Sequence, residues 1–236
     1  MLEQVRHALT LGYPDLGVCP VRPERLQVIA NGPSALSAPL TGVTMALNGS
    51  LKLFTSRGLA PTFWAACDPQ ELVADFLADA PMETIYLVCS KCHPAVFEKL
   101  NGRTVILWHQ DDEATWELVK DRDATMIVPS ITTSTFELAG RLGFRSTDYW
   151  GWDGCYVDGL NHAVSQAHVE HVVENQVGDR VFVTTPVWMF EAMIASNRLE
   201  VFGWNITMHG DGMIEAVMRA QGVKLGAPAH QERQTA

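Results

Sequence analysis

The sequence predicts an α/β fold: a Rossmann-like, mostly parallel sheet flanked by helices, with a C-terminal β-hairpin and helix extension. Three observations lead there. From residue 26 onward, short apolar runs rich in Val, Ile and Thr alternate with helix-like segments. The 236-residue chain is 47% hydrophobic and 19% charged, which supports a packed core and excludes bulk disorder. After Gly151 the rhythm changes to two alternating stretches around a tight Gly-containing turn.

The elements follow in chain order. Residues 2–11 gather Leu2, Val5, Ala8 and Leu9 on one side of a short helix, and Pro14, Pro20 and Pro23 then break the chain, so 1–25 reads as an N-terminal helical and irregular extension. Strand-like runs occupy 26–30, 43–47, 62–66, 84–88, 104–108, 125–128 and 146–150. Helical candidates lie between them near 51–57, 70–77, 94–100, 113–120 and 133–142. Such alternation implies parallel strands covered on both faces. Beyond it, 168–175 and 180–185 flank Val177-Gly178-Asp179 as a hairpin. A helix over 187–196, an apolar run at 199–202 and a last helix over 213–221 complete one α/β domain spanning 26–225. The tail, 226–236, lacks large apolar groups and is expected to be loose.

Charge and cysteine usage narrow the function classes. A net charge of −10 offers no footprint for a phosphate backbone, so nucleic acid is excluded as an expected partner. A single nucleotide is not excluded, because it needs only a local nest of N–H groups. Five cysteines, an odd number in a chain this long, argue against a disulfide framework. The first residues lack a long apolar h-region, and no run reaches the ~18 apolar residues of a membrane span. The expectation is a cytoplasmic protein with no membrane partner.

In open parallel sheets ligands bind beyond the carboxyl ends of the strands. Small or polar groups follow each run there, among them Asn31, Asn48, Asp68 and Asp153. For any one position, turn and cap chemistry explains such a residue; the set is harder to explain that way. The strongest local signal is Asn31-Gly32-Pro33-Ser34 after the first run. Gly32 permits close backbone approach, Pro33 is pre-set for a first helical turn, and N–H groups of that turn suit a phosphate. The pattern is neither G-x-G-x-x-G nor G-x-x-x-x-G-K-[ST], which argues against a dinucleotide fingerprint and a P-loop.

Val28-Ile29-Ala30-Asn31-Gly32-Pro33-Ser34, Ala46-Leu47-Asn48-Gly49-Ser50 and Cys67-Asp68 resemble segments of the MptE-like 6-hydroxymethylpterin diphosphokinase family. The likeness continues through Thr133-Ser134-Thr135-Phe136-Glu137-Leu138-Ala139-Gly140-Arg141-Leu142-Gly143-Phe144, Gly151-Trp152-Asp153 and Gly159-Leu160-Asn161-His162-Ala163, covering about residues 26 to 215. The resemblance implies a nucleotide-binding domain that uses ATP with Mg²⁺ and transfers a diphosphoryl group to a hydroxymethylpterin-like alcohol. It assigns phosphate and nucleotide contacts to Asn31, Gly32, Pro33, Ser34 and Asn48, with Thr132, Thr133 and Ser134 reaching the nucleotide from a second helix start. Asp68 and Asp153 would carry Mg²⁺, directly or through water, and His162 would act as base or substrate contact. The same Asn-Gly-Pro-Ser loop and Leu-Gly-Phe segment also look like bacterial sialyltransferases that use CMP-sialic acid, in which His162 or Asp153 would be the base. The residues leave diphosphoryl transfer, glycosyl transfer and nucleotide binding without turnover all open. The expected partners are a nucleotide and a small acceptor, with a homo-oligomer left open.

Other constellations have plainer readings. Cys89-Ser90-Lys91-Cys92-His93 matches a haem-attachment pattern that requires export, and no second ligand pair completes a zinc site. Asp111-Asp112-Glu113 suits a helix start as well as a cation. In a strand His168 and His171 point to opposite faces, which argues against a metal pair. Of seven tryptophans most are expected in the core, while Trp152, with Tyr156, is expected to stack on a flat ring.

Overall fold

The computed structural model describes residues 1–126, 130–164, 171–202 and 205–226; the side chains of 124–126 and 198–202 are outside that description. Its sheet strands are β1 (Leu26–Ile29), β2 (Val43–Leu47), β3 (Phe63–Ala66), β4 (Ile85–Cys89), β5 (Thr104–Asp111), β6 (Ala124–Met126), β7 (Ser146–Trp150) and β10 (Asn205–His209). They form one sheet in the order β10-β7-β1-β2-β3-β4-β5-β6, every pair parallel. A separate antiparallel hairpin joins β8 (Val173–Val177) to β9 (Arg180–Thr184).

The α/β architecture is as the alternation predicts. The helices are α1 (Leu2–Thr10), α2 (Leu51–Thr55), α3 (Pro94–Lys99), α4 (Trp116–Val119), α5 (Ile131–Arg141), α6 (Pro186–Phe202) and α7 (Met213–Ala220). The chain walks from β1 to β6 in one direction and then returns to place β7 beside β1. Right-handed crossovers therefore put α2 and α3 on one face and α5, α6 and α7 on the other. The packing agrees: α1 lies on α3, while α6 lies against both α5 and α7. The reversal between β1 and β7 is the topological switch point, where the loops after both strands open a crevice.

The core is built on both faces of the central strands, where successive residues are buried. Trp64, Trp108, Tyr86 and Tyr149 are among its largest fully buried side chains. Each also satisfies its polar atom: Trp64 Nε1 donates to the Asn48 carbonyl, Trp108 Nε1 to Leu87, Tyr86 to Pro81, and Tyr149 pairs with the Thr135 hydroxyl. Large side chains buried this way contribute about 1.5–3 kcal/mol each, provided no polar atom is stranded.

Several sequence expectations change. The apolar run at 199–202 belongs to the end of α6, which runs to Phe202 instead of stopping at 196. The eighth strand, β10, carries only three buried residues, too short a run to stand out. The 70–77 segment is a 3₁₀ helix, Glu71–Leu77, and the expected helix at Pro33 is a single 3₁₀ stretch, Pro33–Ser37. His93 of the haem-like motif is the N-cap of α3, its Nδ1 accepting from Ala95 N at 3.3 Å, and Cys89 and Cys92 are fully buried. The N-terminal extension docks on the sheet: Leu16 N donates to Leu107 O and Leu107 N to Pro14 O, so this segment pairs with β5 just before β6 does. Residues 127–129, His168 within the expected strand, Trp204 and the tail from 227 lie outside the described residues. No described helix is long and apolar enough to cross a membrane.

Candidate functional site

Two loops meet at the switch point: 31–34 after β1, and 151–154 after β7. They are stitched by backbone and side chain. Gly32 N donates to Gly151 O (2.7 Å), Gly151 N to Ser34 Oγ (2.8 Å), and Ser34 N to Asp153 Oδ2 (2.9 Å). The approach is close enough to demand glycine. A Cβ on Gly32 would lie 2.4 Å from Asp153 Oδ2 and 2.5 Å from Gly151 O. Asp153 is 3% exposed and fenced on its other side by Gly210, whose Cβ would stand 2.8 Å from Oδ1. Burial pushes its carboxyl up from the ordinary value against the pull of the Ser34 bonds.

These bonds reassign the strongest sequence motif. The N–H groups of Gly32 and Ser34, expected to face a phosphate, are used inside the loop pair, and Ala35 N is bonded to Gly32 O. Asn31, expected to orient a nucleotide, spends its side-chain amide within the protein. Its amide clamps the 161–164 loop, Nδ2 donating to Val164 O (3.0 Å) and Oδ1 accepting from Val164 N (3.1 Å).

On one side of the stitched loops lies a cleft of about 190 Å³. Asn31, Gly32, Asn48, Thr132, Trp152 and His162 of the expected residues border it. Asn48 sits at the end of β2 with φ +47°, a left-handed conformation that Asn tolerates better than most residues, and its buried Oδ1 has no hydrogen-bond partner among the described residues. Thr132 belongs to the first turn of α5. The helix is capped by Ser130, whose Oγ accepts from Thr133 N while the Thr133 hydroxyl closes a capping box. Thr133 and Ser134 turn their hydroxyls onto the Ser130 carbonyl, so they serve the helix and not the cleft.

The residue that sequence reading missed is Glu191 of α6. It is 5% exposed yet borders the cleft. Its Oε1 accepts the Trp152 indole N–H at 2.9 Å and the Ser130 hydroxyl. Burial drives its carboxyl above the usual glutamate range, and these two bonds only partly offset the shift. The sequence does carry a signal for it: Glu191 is the one charged residue in the apolar run 186–196. Trp188, one turn earlier, also borders the cleft, with its ring 6.2 Å from His162 and 5.9 Å from Tyr156.

Trp152 and Tyr156 do not form a shared stacking platform. Trp152 is locked among Phe136 and Tyr149, with ring centroids 5.6 and 5.1 Å away. Tyr156 lines a second cavity on the other side of the stitched loops, together with Pro33, Ser34 and Asp153. The expected Mg²⁺ pair is not brought together either. Asp68 follows β3 and Asp153 follows β7, three strand spacings or roughly 14 Å apart. Asp68 accepts from Gln70 N at 2.8 Å and borders neither cavity, while Asp153 is held by Ser34. Mg²⁺ needs oxygen ligands near 2.1 Å, so these two carboxylates do not fit one shared ion. Among the described residues no group of three or more His, Cys, Asp or Glu is placed to hold a metal. Asp112, considered for that role, pairs with Lys91 at 3.1 Å and caps Ala114 N.

The sequence matches no protein-family model and no curated protein. Among solved structures, the fold is similar to that of the MAf glycosyltransferase from Magnetospirillum magneticum AMB-1, with a TM-score of 0.63 and 15% identity. The match covers 89% of this chain and 36% of that one, so this chain spans about a third of that protein's length. At this identity the likeness is one of fold.

Proposed function

We propose that the protein is a glycosyltransferase that moves a sugar from a nucleotide-activated donor to an acceptor hydroxyl. The observation that carries this reading is Glu191: a desolvated carboxyl, hydrogen-bonded on one oxygen, bordering a cleft at the switch point across from the start of α5. A carboxylate with a raised pKa is a stronger base than an ordinary one, which suits it to take a proton near neutral pH. The fold likeness to a glycosyltransferase supports the same class.

In this reading the donor's phosphate lies against the first turn of α5 at Thr132, where the helix dipole favours an anion. The base or sugar lies against Trp188, and Asn48 Oδ1 accepts a hydrogen bond from it. The cleft, at about 190 Å³, holds one end of such a donor and leaves the rest along the 161–164 loop. The acceptor oxygen forms a bond to the anomeric carbon as the bond from that carbon to the phosphate oxygen breaks. The electron pair leaves with the nucleotide, and the acceptor proton passes to Glu191. In the same reading His162, which borders the cleft beside Trp188, contacts the donor or acceptor. Diphosphoryl transfer from ATP is the weaker reading, because it asks for Mg²⁺ between carboxylates that do not converge.

The test is incubation with a panel of nucleotide-activated sugars, CMP-sialic acid among them, reading released nucleotide. The expected result is slow donor hydrolysis that disappears in Glu191→Gln with nucleotide affinity retained. No release from any donor overturns the reading, and AMP formed from ATP and hydroxymethyldihydropterin would establish the diphosphokinase instead.

A further inference from the structure

The stitched loops 31–34 and 151–154 form a partition with a cavity on each side. The second cavity, about 590 Å³, is the larger and falls within the range of small-molecule sites. Its lining has a distinct chemistry. Leu36, Val157, Leu160 and Val181 border it, and they are 48%, 39%, 51% and 61% exposed. Four large apolar side chains left in water around one opening make a rim that a ligand with an apolar body would desolvate. Deeper in, Phe182 is buried, and the guanidinium of Arg180 stands 4.5 Å from its ring.

The charge of the cavity selects further. Among the described residues Arg180 is its one basic residue, and each of its terminal nitrogens donates to Asp211, at the side chain and the carbonyl, at 2.7 Å. Asp153, Asp158 and Asp211 are also in the lining. One paired cation among three aspartates makes the lining a poor match for a phosphate or a carboxylate.

The cavity also adjoins the cleft. The 154–162 loop borders both: Gly154, Asn161 and His162 face the cleft, and Tyr156 and Leu160 face the second cavity. The rings of Tyr156 and Trp188, one from each side, have centroids 5.9 Å apart. We infer that the second cavity is the acceptor subsite and takes an uncharged alcohol with an apolar body. This rests on the transferase reading, which supplies the donor side in the cleft.

The experiment uses octyl β-D-glucopyranoside below its micelle concentration as an uncharged probe and octanoate as an anionic probe with a similar apolar chain. Calorimetric titration of the whole chain is expected to show saturable 1:1 binding of the glucoside and at least tenfold weaker binding of octanoate. Leu36→Asp and Leu160→Asp, both at exposed positions and so expected to keep the wild-type melting temperature, should each weaken the glucoside at least tenfold. Absence of glucoside binding, equal binding of octanoate, or indifference to both Leu substitutions overturns the inference. Donor hydrolysis in the Leu160→Asp variant separates the two claims: retained hydrolysis with lost glucoside binding supports both, whereas glucoside binding in a chain that hydrolyses no donor overturns the transferase reading and with it the acceptor role.

Discussion

The indole N–H of Trp152 donates to the carboxyl of Glu191 at 2.9 Å, tying the loop after β7 to the helix that covers the cleft. The bond favours the charged form of Glu191, whereas burial opposes it more strongly. If Glu191 is the base, turnover climbs with pH through a midpoint above the ordinary glutamate value. Trp152→Phe removes one of the two bonds to the carboxylate and moves that midpoint further up; Glu191→Gln lowers turnover by at least about 100-fold. A pH–rate profile of donor hydrolysis checks all three.

The same shift has a consequence for stability. Glu191 holds its proton more tightly in the folded than in the unfolded chain, so folding is favoured at low pH and weakened as pH rises through the raised pKa. Glu191→Gln flattens that fall. Urea midpoints of both proteins between pH 4 and 8 provide the comparison.

Asp148 runs the other way. Burial alone would raise its carboxyl, but hydrogen bonds from His209 and Arg25 outweigh it and bring it down to about 2. That contribution is present above the unfolded value near 4 and is lost as pH falls from there toward 2, about 2 kcal/mol at most. Arg25→Met should remove much of this acid-limb dependence in a chemical denaturation series.

Asn31→Asp keeps the shape but loses the donor to Val164 O and sets a carboxylate against it. A loss of about 1–2 kcal/mol is expected, with faster amide exchange at 161–164 than in the wild type. Unchanged protection there would show that the clamp does not hold the loop.

Asn48→Gly removes the Oδ1 that has no hydrogen-bond partner among the described residues, while accepting φ +47° without strain. Stability should stay within about 0.5 kcal/mol, and affinity for the donor nucleotide should fall about tenfold if the amide contacts it. Thermal melts with and without nucleotide read both effects.

Much of the fold was legible because hydrophobic periodicity is local. Seven of the eight sheet strands overlap runs visible along the chain. β10 escaped notice because an edge strand with three buried residues makes too short a pattern, and α6 was cut short because a helix apolar on most sides has no face to mark its end. At the site the difficulty was different. Asn31, Asn48 and Asp68 each follow a strand, yet one clamps a loop, one borders the cleft with an unused acceptor, and one caps its own backbone.

From its residues alone, the chain determined that it would form parallel strands with helices on both faces and polar groups at the strand ends, because these follow from the spacing of neighbours. Only the tertiary structure decided where those groups point. The return of β7 beside β1 brought Asp153 onto Ser34 and consumed the N–H groups of the glycine loop, and the packing of α6 on α5 carried Glu191 to Ser130 and Trp152. Those partners lie 119, 61 and 39 residues apart. Hydrogen bonds over such separations depend on topology and burial, which no local pattern encodes.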